Sequence, residues 1–285
     1  MKTFQNFDLT DYNSYKIKAV CKTAYFPDTD DDIHRLFSNV AQKKILLGGG
    51  YNVLLSKDYY DTEFVIFSGN YNKMELVGEE SILCEAGCDM KELSEFALSC
   101  ELSGLEIFFD IPSSLGGAVV MNAGAGGEDI QTVLDKVWYY NPGSGRIEEI
   151  TKEEIGFEYR NSFFQKNPEM IVCRTLLSLK KNNPSVIREK MDTIKAARWA
   201  KQPREFPNAG SVFKRPPGRF VGPMIDELGL KGYTVGGAKI SEKHSGFIVN
   251  CNNACGHDII AIIVYVKERI RTSFGVELDI EQRII

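Results

Sequence analysis

The first hundred residues alternate between helical and strand-like spacing of hydrophobic positions. Apolar residues recur every three or four positions from Ile33 to Val40, which predicts an amphipathic helix. Thr29 and the aspartates after it can cap the start of this helix. Lys43 and Lys44 place cations where the dipole of a helix end favours them. We therefore expect a helix that begins near residue 30 and closes at the two lysines.

Three short apolar runs follow, at 45–47, 53–55 and 64–67, and each has the length of a buried strand. The first run stops at three consecutive glycines, residues 48–50. The pattern predicts a β-α-β opening with a glycine-rich turn at the end of a strand.

Helical spacing returns between residues 89 and 102, with Gly104 beyond its end. The segment 105–127 is rich in glycine and other small residues, and it predicts a loop. Strand-like spacing then appears at 136–140 and at 170–179.

Asn182, Asn183 and Pro184 interrupt the pattern and mark a boundary between two parts of the chain. Beyond it the spacing predicts a helix, a short helix, a strand and a long helix, at 185–199, 223–228, 246–250 and 258–274. This order of elements predicts an α+β architecture in two parts.

The composition is that of a globular protein, with 43% hydrophobic and 26% charged residues. The net charge of −5 argues against a nucleic-acid-binding protein, which would usually carry a basic stripe. No apolar signal core opens the chain, and the apolar run 259–266 is too short to span a bilayer. We expect a cytoplasmic protein without membrane insertion.

The 7 cysteines are scattered and form no Cys-x-x-Cys pair, which predicts reduced thiols in the cytosol. The run from Cys251 to His257 could hold a metal, but it lacks a partner cluster. A polar turn ahead of a helix explains it better, so we expect no metal site.

Two glycine-rich segments are candidates for binding a dinucleotide. In residues 48–52, glycine amides could approach a diphosphate closely, although a plain turn between strands explains them equally well. Residues 111–127 are small enough for a flat ligand to lie against the backbone, and close packing of two sheets is the alternative. Two such segments together favour a dinucleotide, but neither has the Gly-x-Gly-x-x-Gly spacing of the Rossmann fold.

An ordered set of motifs gives the chain a family resemblance. In sequence order they are Gly48-Gly-Gly-x-Asn52, the loop from Ile111 to Ala125, Tyr159-Arg160-x-Ser162-x-Phe164, Ala209-Gly-Ser-Val-Phe213, Gly229-Leu-Lys-Gly232, Gly236-Gly-Ala238 and the segment from His244 to Asn250. The set resembles the UDP-N-acetylenolpyruvoylglucosamine reductase (MurB) family over nearly the whole chain, in its shorter, type II form.

The resemblance implies an α+β fold class. An FAD-binding domain of the vanillyl-alcohol-oxidase/PCMH type is followed by a smaller α+β substrate-binding domain. The first would occupy 1–183, in two subdomains at about 1–68 and 69–183, and the second 184–285, with a C-terminal catalytic strand. The resemblance also implies that NADPH reduces a non-covalently bound FAD. The reduced flavin would then convert the enolpyruvyl ether of a UDP-sugar to UDP-N-acetylmuramate, in peptidoglycan precursor synthesis.

The resemblance assigns roles to individual residues. Ser211, Arg160 and Glu281 would be catalytic, and Tyr159, Lys214 and Arg215 would bind substrate. The cofactor-binding residues would be Gly48, Gly49, Gly50, Tyr51, Asn52, Leu54, Gly116, Gly117, Ala118, Asn122, Ala123, Gly124 and Ala125.

The implied chemistry explains a serine without a neighbouring base, since no histidine lies within thirty residues of Ser211. Hydride addition to an enol ether conjugated with a carboxylate leaves a strongly basic carbanion. Even a weakly acidic hydroxyl can protonate such a centre. The planar fork of Arg160 suits a carboxylate. Glu281 fits the family's glutamate better than Asp279, which would share its strand face.

The chain departs from the family where Tyr51 replaces a serine and where Asp110 and Ser113 replace glycines, which bears on the geometry of the cofactor site. Two alternatives stay open: an oxidase with covalently attached FAD on the same scaffold, and a non-catalytic sugar-nucleotide-binding homologue. The histidines lie outside the glycine-rich segments, and the three catalytic candidates are retained together. Both observations favour the reductase.

Overall fold

A computed structural model describes residues 1–39 and 43–285 of the chain. The chain divides into two compact units. Unit 1 comprises residues 1–4, 23–49 and 62–197, and unit 2 comprises residues 5–22, 50–61 and 198–285. The mixture of helices and sheets is that of an α+β protein, as the sequence predicts.

The strands of the described residues are β1 (Lys2–Asp8), β2 (Val20–Phe26), β3 (Ile45–Leu47), β4 (Val53–Leu54), β5 (Tyr59–Ile66), β6 (Met74–Val77), β7 (Ser81–Glu85), β8 (Leu102–Ser103), β9 (Gly124–Ala125), β10 (Glu128–Asp129), β11 (Leu134–Asn141), β12 (Arg146–Thr151), β13 (Ile171–Ser178), β14 (Lys180–Lys181), β15 (Thr234–Val235), β16 (Ala238–Ile240), β17 (Ile248–Asn250) and β18 (Arg283–Ile284). The α-helices are α1 (Asp30–Phe37), α2 (Met90–Ser99), α3 (Leu115–Met121), α4 (Lys152–Ile155), α5 (Phe163–Lys166), α6 (Pro184–Lys201), α7 (Val221–Glu227) and α8 (Gly256–Phe274). Short 3-10 helices occupy Thr10–Tyr12, Glu106–Phe109 and Ile130–Thr132.

The predicted β-α-β opening is present, but its helix is shorter than expected. Thr29 caps α1 by accepting a hydrogen bond from the Asp32 amide at 3.2 Å, as the sequence predicts. The helix ends at Phe37 and does not reach Lys43 or Lys44, while Val40 lies outside the described residues. Lys44 instead pairs with Glu63 of β5 at 3.4 Å. The lysine therefore anchors the start of β3 rather than the end of a helix.

A five-stranded antiparallel sheet forms the centre of unit 1, in the order β12-β11-β13-β7-β6. Helices α2 and α3 contribute to the hydrophobic core that covers this sheet. That core contains Ile82, Leu93, Phe108, Leu115, Val119, Val137, Phe164 and Leu177. Its aliphatic and aromatic side chains fix the position of α3 on the sheet.

The segment 105–127 is not the loop that its composition predicts. Residues 115–121 form α3, whose N-cap Ser114 accepts a hydrogen bond from the Gly117 amide at 3.3 Å. Leu115, Ala118 and Val119 are fully buried on the face that α3 turns to the sheet. The small residues therefore allow α3 to pack closely on the sheet. The high glycine content of the segment had led to the prediction of a loop instead of this helix.

The end of the same segment is a tight hairpin. Strands β9 and β10 pair antiparallel, and Gly126 and Gly127 make the two-residue turn with φ of 67° and 95°. Positive φ at both central residues is typical of a type I′ turn. A Cβ at Gly124 would lie 2.2 Å from the Glu128 carbonyl oxygen, so strand pairing itself requires glycine there.

Unit 2 contains the antiparallel sheet β15-β16-β17 and the long helix α8. Ile259, Ile262, Ile263, Val266 and Ile270 form the buried face of α8. Gly275 ends the helix with a left-handed φ of 64°, which confirms the predicted cap.

The predicted C-terminal strand is not continuous through Glu281. Ile280 makes a single bridge to Phe213, and only Arg283–Ile284 forms a strand, β18, which pairs parallel with β4. The break arises because residues 279–281 hydrogen-bond to residues 212–214. The chain then turns to a different partner, β4.

Candidate active site

The two glycine-rich segments meet in unit 1. Gly48 follows β3, which pairs parallel with β5, so it lies at the carboxyl edge of that strand pair. A Cβ on Gly48 would lie 2.3 Å from the Ser114 hydroxyl oxygen. The absence of a side chain therefore allows the first segment to touch the start of α3. The structure brings together the segments from which we predicted a dinucleotide site.

The first amides of α3 are already hydrogen-bonded within unit 1. Leu115 donates to the Cys88 carbonyl and Gly116 to the Ala86 carbonyl, both at 2.8 Å. Gly117 donates to Ser114. This end of α3 offers a ligand closely packed small residues rather than a set of open amides.

Several predicted cofactor residues have side chains that face inward. Leu54 and Ala118 are fully buried, and Asn122 is 1% exposed. These three residues therefore present almost no surface to a ligand. Ala123 and Ala125 are half-buried, beside the α3 end and in the hairpin. The cofactor assignments of these residues stay predictions.

Gly50 and Asn52 belong to unit 2 and hold its parts together. Gly50 has a φ of 68°, and a Cβ there would lie 2.0 Å from the Tyr12 carbonyl oxygen. Asn52 donates from Nδ2 to the Glu281 carbonyl at 3.1 Å and accepts from the Arg283 amide at 2.9 Å. A predicted cofactor residue thus fixes the backbone of a predicted catalytic residue. Half-buried Tyr51 lies between them in the chain.

Ser211 is exposed at the start of an extended segment of unit 2. It forms a bridge to Phe247, and the next amide, that of Val212, donates to the Gly246 carbonyl at 3.0 Å. Gly210 precedes it with a left-handed φ of 76°. The hydroxyl is thereby presented on a fixed backbone.

Glu281 lies beside the Ser211 segment in unit 2. Its amide donates to the Val212 carbonyl at 2.8 Å, whereas the Asp279 carbonyl accepts from the Lys214 amide at 2.8 Å. The structure therefore brings Ser211, Glu281 and Lys214 into one antiparallel arrangement. In this register Glu281 is opposite Val212 and Asp279 is opposite Lys214, so Glu281 is two residues nearer to Ser211.

Arg215 follows on the exposed part of the same segment. Its guanidinium lies 4.5 Å from the ring centroid of Phe220, which is 59% exposed. An arginine on an aromatic face keeps its planar fork in a limited set of orientations.

Arg160 lies in unit 1 and is half-buried. Its guanidinium donates from Nη1 to the Asn122 carbonyl at 3.1 Å and from Nη2 to the Gly124 carbonyl at 2.5 Å. It also lies 5.2 Å from the ring of the exposed Tyr159. Tyr159 and Arg160 are therefore adjacent in space as well as in sequence.

His244 supports the Ser211 segment from the other side. Its Nδ1 accepts a hydrogen bond from the Gly246 amide at 3.1 Å, and its ring packs edge-on against Phe247. Burial lowers the pKa of His244 below its ordinary value, and the neutral ring can accept this hydrogen bond.

Three supporting side chains received no role from the sequence, although Ser162 stands in one of the motifs. Ser114 caps α3, fully buried Ser162 donates to the Val120 carbonyl at 2.8 Å, and Gln282 donates to the Ala209 carbonyl at 3.1 Å. Ser114 carried a usable signal, because serine is common directly before the first residue of a helix, where its side chain accepts a hydrogen bond from an amide two or three residues later. The other two contacts join distant segments and leave no local pattern.

Within residues 1–39 and 43–285, no cluster of three or more histidine, cysteine or acidic side chains could hold a metal ion. The same residues contain no helix long and apolar enough to cross a bilayer.

Two family models match the chain. An FAD binding domain matches residues 22–150, and the C-terminal domain of UDP-N-acetylenolpyruvoylglucosamine reductase matches residues 202–285.

Relatives of the same name are similar over nearly their full length. The UDP-N-acetylenolpyruvoylglucosamine reductase of Caldanaerobacter subterraneus is 38% identical, over 100% of this chain and 94% of its own. That of Francisella tularensis is 37% identical, over 97% of this chain and 98% of its own. The crystal structure of the reductase from Thermus caldophilus superposes with a TM-score of 0.83 at 30% identity, covering 99% of this chain and 98% of that one.

Proposed function

Because the chain belongs to the UDP-N-acetylenolpyruvoylglucosamine reductase family, we propose that it catalyses the NADPH-dependent reduction of a UDP-linked enolpyruvyl ether to UDP-N-acetylmuramate. This reaction would supply peptidoglycan precursors in the cytoplasm, and so contribute to cell shape and division. The observation that carries the proposal is the antiparallel arrangement of Ser211 and Glu281 in unit 2, with the Glu281 amide 2.8 Å from the Val212 carbonyl.

The match of residues 22–150 to an FAD binding domain supports FAD as the cofactor in this proposal. Gly48, Gly49 and the small residues of α3 would lie against a flat, extended cofactor, and the close approach of Gly48 to Ser114 supports this by bringing the two segments together. Bound FAD would take a hydride from NADPH and pass it to the substrate. The remaining chemistry depends on residues of this chain.

Ser211 would donate the proton that completes the reduction. Hydride addition to the enol ether leaves a carbanion beside the substrate carboxylate, and this centre is basic enough to take a proton from a hydroxyl. The exposed position of Ser211 on a hydrogen-bonded backbone suits this role.

Arg160 and Glu281 would stabilise the charge that develops on the substrate carboxylate. A guanidinium fork matches a carboxylate, and a protonated carboxylic acid can donate a hydrogen bond to the enolate oxygen. Tyr159, Lys214 and Arg215 would hold the rest of the UDP-sugar. Lys214 and Arg215 lie three and four residues after Ser211 and would bring positive charge to the diphosphate or the carboxylate.

The two half-reactions can be tested separately under anaerobic conditions. NADPH is mixed with the flavin-loaded protein, and the loss of oxidised flavin absorbance is followed by stopped flow. The UDP-enolpyruvyl sugar is then added, and we expect the absorbance to return with formation of the lactyl ether. Flavin that stays reduced until oxygen is admitted would contradict the reductase and favour an oxidase.

A further inference from the structure

The C-terminal end of α3 holds the Arg160 guanidinium. The carbonyl oxygens of Asn122 and Gly124, at and just after this end, accept hydrogen bonds from Nη1 and Nη2 at 3.1 and 2.5 Å. A helix C-terminus carries partial negative charge, which favours a cation at this place. The position of Arg160 therefore depends on how the end of α3 is fixed.

Asn122 fixes that end. It is the C-cap of α3, in the left-handed conformation with φ 44° and ψ 58°, and it is 1% exposed. Its Nδ2 donates to Asp129 Oδ2 at 3.2 Å and to the Glu158 carbonyl at 3.1 Å, and its Oδ1 accepts from the Gln131 amide at 3.4 Å. The amide side chain is thus engaged on both its nitrogen and its oxygen by protein groups.

The backbone around Arg160 needs such support. Arg160 itself has a left-handed φ of 53°, a conformation that a residue with a Cβ seldom adopts unless its surroundings enforce it. Asn122 donates to the Glu158 carbonyl, two residues before Arg160, and the hydroxyl of Ser162, two residues after it, donates to the Val120 carbonyl. Both contacts lead to the end of α3.

We propose that Asn122 is the positioning residue of Arg160, and not a side-chain ligand of FAD. The inference rests on the proposed function. One residue supplies the carbonyl that receives Nη1 and also the amide that fixes the chain two residues before Arg160. Both the backbone and the guanidinium of Arg160 are therefore set by Asn122.

Asn122→Gly separates the side chain from the backbone. Glycine adopts a positive φ without cost in sterics and keeps the carbonyl for Nη1, so only the amide side chain is removed. We expect FAD content and the rate of flavin reduction by NADPH to match the wild type. Flavin reoxidation by the UDP-enolpyruvyl sugar should slow about tenfold or more, because small displacements of a catalytic group are costly. The loss should appear in kcat rather than in KM.

Asn253→Gly is the matched control. Asn253 is also a left-handed asparagine, with φ 52°, but it is exposed and lies in unit 2. We expect this variant to keep both rates. If Asn122→Gly does not fold, Asn122→Asp tests the same contact, since a carboxylate keeps the size but cannot donate to the Glu158 carbonyl.

A double-mutant cycle with Arg160→Lys tests the route of the effect. If Asn122 acts through Arg160, adding Asn122→Gly to Arg160→Lys should change reoxidation by less than about twofold. The proposal would be overturned if the double variant lost reoxidation rate by the product of the two single losses. A wild-type reoxidation rate in Asn122→Gly alone would also overturn it. Lost flavin or slower reduction by NADPH would show that Asn122 is a cofactor ligand.

A spectroscopic measurement separates this inference from the proposed function. The Nε–H signal of Arg160 in 15N-labelled protein, assigned by its loss in Arg160→Lys, should broaden or shift in Asn122→Gly and stay unchanged in Asn253→Gly. An unmoved signal would overturn the positioning role without reference to turnover. A wild-type protein that the UDP-enolpyruvyl sugar does not reoxidise would refute the proposed function while leaving this result intact.

Discussion

Ser211 combines an exposed hydroxyl with a backbone that is hydrogen-bonded on both sides of the segment. Phe247 pairs with Ser211 itself, and Glu281 pairs with the next residue, Val212. A proton donor needs this combination, because its oxygen must reach the substrate while its main chain stays in place.

Ser211→Ala should therefore affect only one half-reaction. Flavin reduction by NADPH needs no proton from the serine and should keep its rate, whereas reoxidation by the enolpyruvyl substrate should collapse. Ser211→Cys should restore part of the reoxidation rate, since a thiol is the stronger acid. Stopped-flow absorbance of the flavin measures both steps. Equal slowing of the two steps in Ser211→Ala would assign the serine to the shape of the flavin site.

Arg160→Lys is a second test at the scale of single residues. A guanidinium has five donors in a planar fork, and two carbonyls of the α3 end already accept from it. A lysine ammonium cannot keep these contacts and also grip a carboxylate. We expect turnover to fall by roughly two to three orders of magnitude, the scale for losing one stabiliser of developing charge. Near-wild-type steady-state turnover would remove Arg160 from the catalytic residues.

The titration of His244 affects stability. Burial lowers its pKa in the folded protein below the ordinary value of about 6.5, so the unfolded chain binds more protons between these two pKa values. The free energy of unfolding should rise as the pH increases through this interval, and the gain should be lost as the pH falls through the folded pKa. Urea unfolding of the wild type and of His244→Asn at several pH values measures the slope. A slope in His244→Asn equal to that of the wild type would exclude His244 as its source.

At the scale of elements, a buried hydrogen-bonded chain supports the Ser211 segment from below. The Tyr15 hydroxyl donates to Gln282 Oε1 at 3.0 Å, and Gln282 Nε2 donates to the Ala209 carbonyl at 3.1 Å. Tyr15 is fully buried and Gln282 is 4% exposed, so water cannot easily replace a lost partner.

Tyr15→Phe should lower the free energy of unfolding by about 1–3 kcal/mol, the cost of a buried acceptor that loses its donor. Chemical denaturation followed by tryptophan fluorescence gives the difference. Tyr265→Phe removes a hydroxyl that accepts a hydrogen bond from Arg269 on a half-buried face of α8. It should cost less than about 0.5 kcal/mol. Equal losses in both variants would mean that the Tyr15–Gln282 contact contributes nothing specific.

The elements that could be predicted are those whose signal is local. The cap of α1 at Thr29, strand β3, helix α6 and the Gly275 end of α8 each follow from a few neighbouring residues. Helix α3 was missed because its glycines and alanines resemble a loop, while their role is close packing on the sheet. The break after Ile280 was missed because neighbouring parts of one segment pair with two distant partners. Ile280 bridges to Phe213, and β18 pairs with β4.

The same distinction between local and distant signals applies to the candidate site. The sequence motifs predicted which residues belong to it, whereas the structure shows which of them are in contact within each unit. The hydrogen bond from Asn52 to the Glu281 carbonyl spans 229 residues of sequence, so no local pattern could announce it. The predicted boundary at residue 183 and the individual cofactor contacts stay predictions.

At the scale of the whole molecule, the way in which FAD is attached would distinguish the reductase from the oxidase alternative. The reductase is expected to bind FAD non-covalently. His34 hydrogen-bonds through Nδ1 with Tyr140 at 3.2 Å, and His244 with the Gly246 amide, so both rings are engaged in structural contacts. We expect the purified protein to be yellow, and acid precipitation should release FAD into the supernatant. Flavin that remains in the pellet would favour covalent attachment, and a colourless protein that cannot be reconstituted would refute an FAD enzyme.

The composition of unit 2 from three separate stretches of sequence has a consequence for how the protein folds. Tyr15 hydrogen-bonds Gln282 at a sequence separation of 267 residues, and buried Leu54 of β4 pairs with Ile284 of β18. Contacts this distant close large loops, and proteins dominated by them fold slowly. All residues of unit 1 lie before position 198. The early stretches of unit 2, in contrast, can form their contacts only with residues 198–285 at the end of the chain. We therefore expect the Ser211 segment to be among the last parts of the molecule to become ordered.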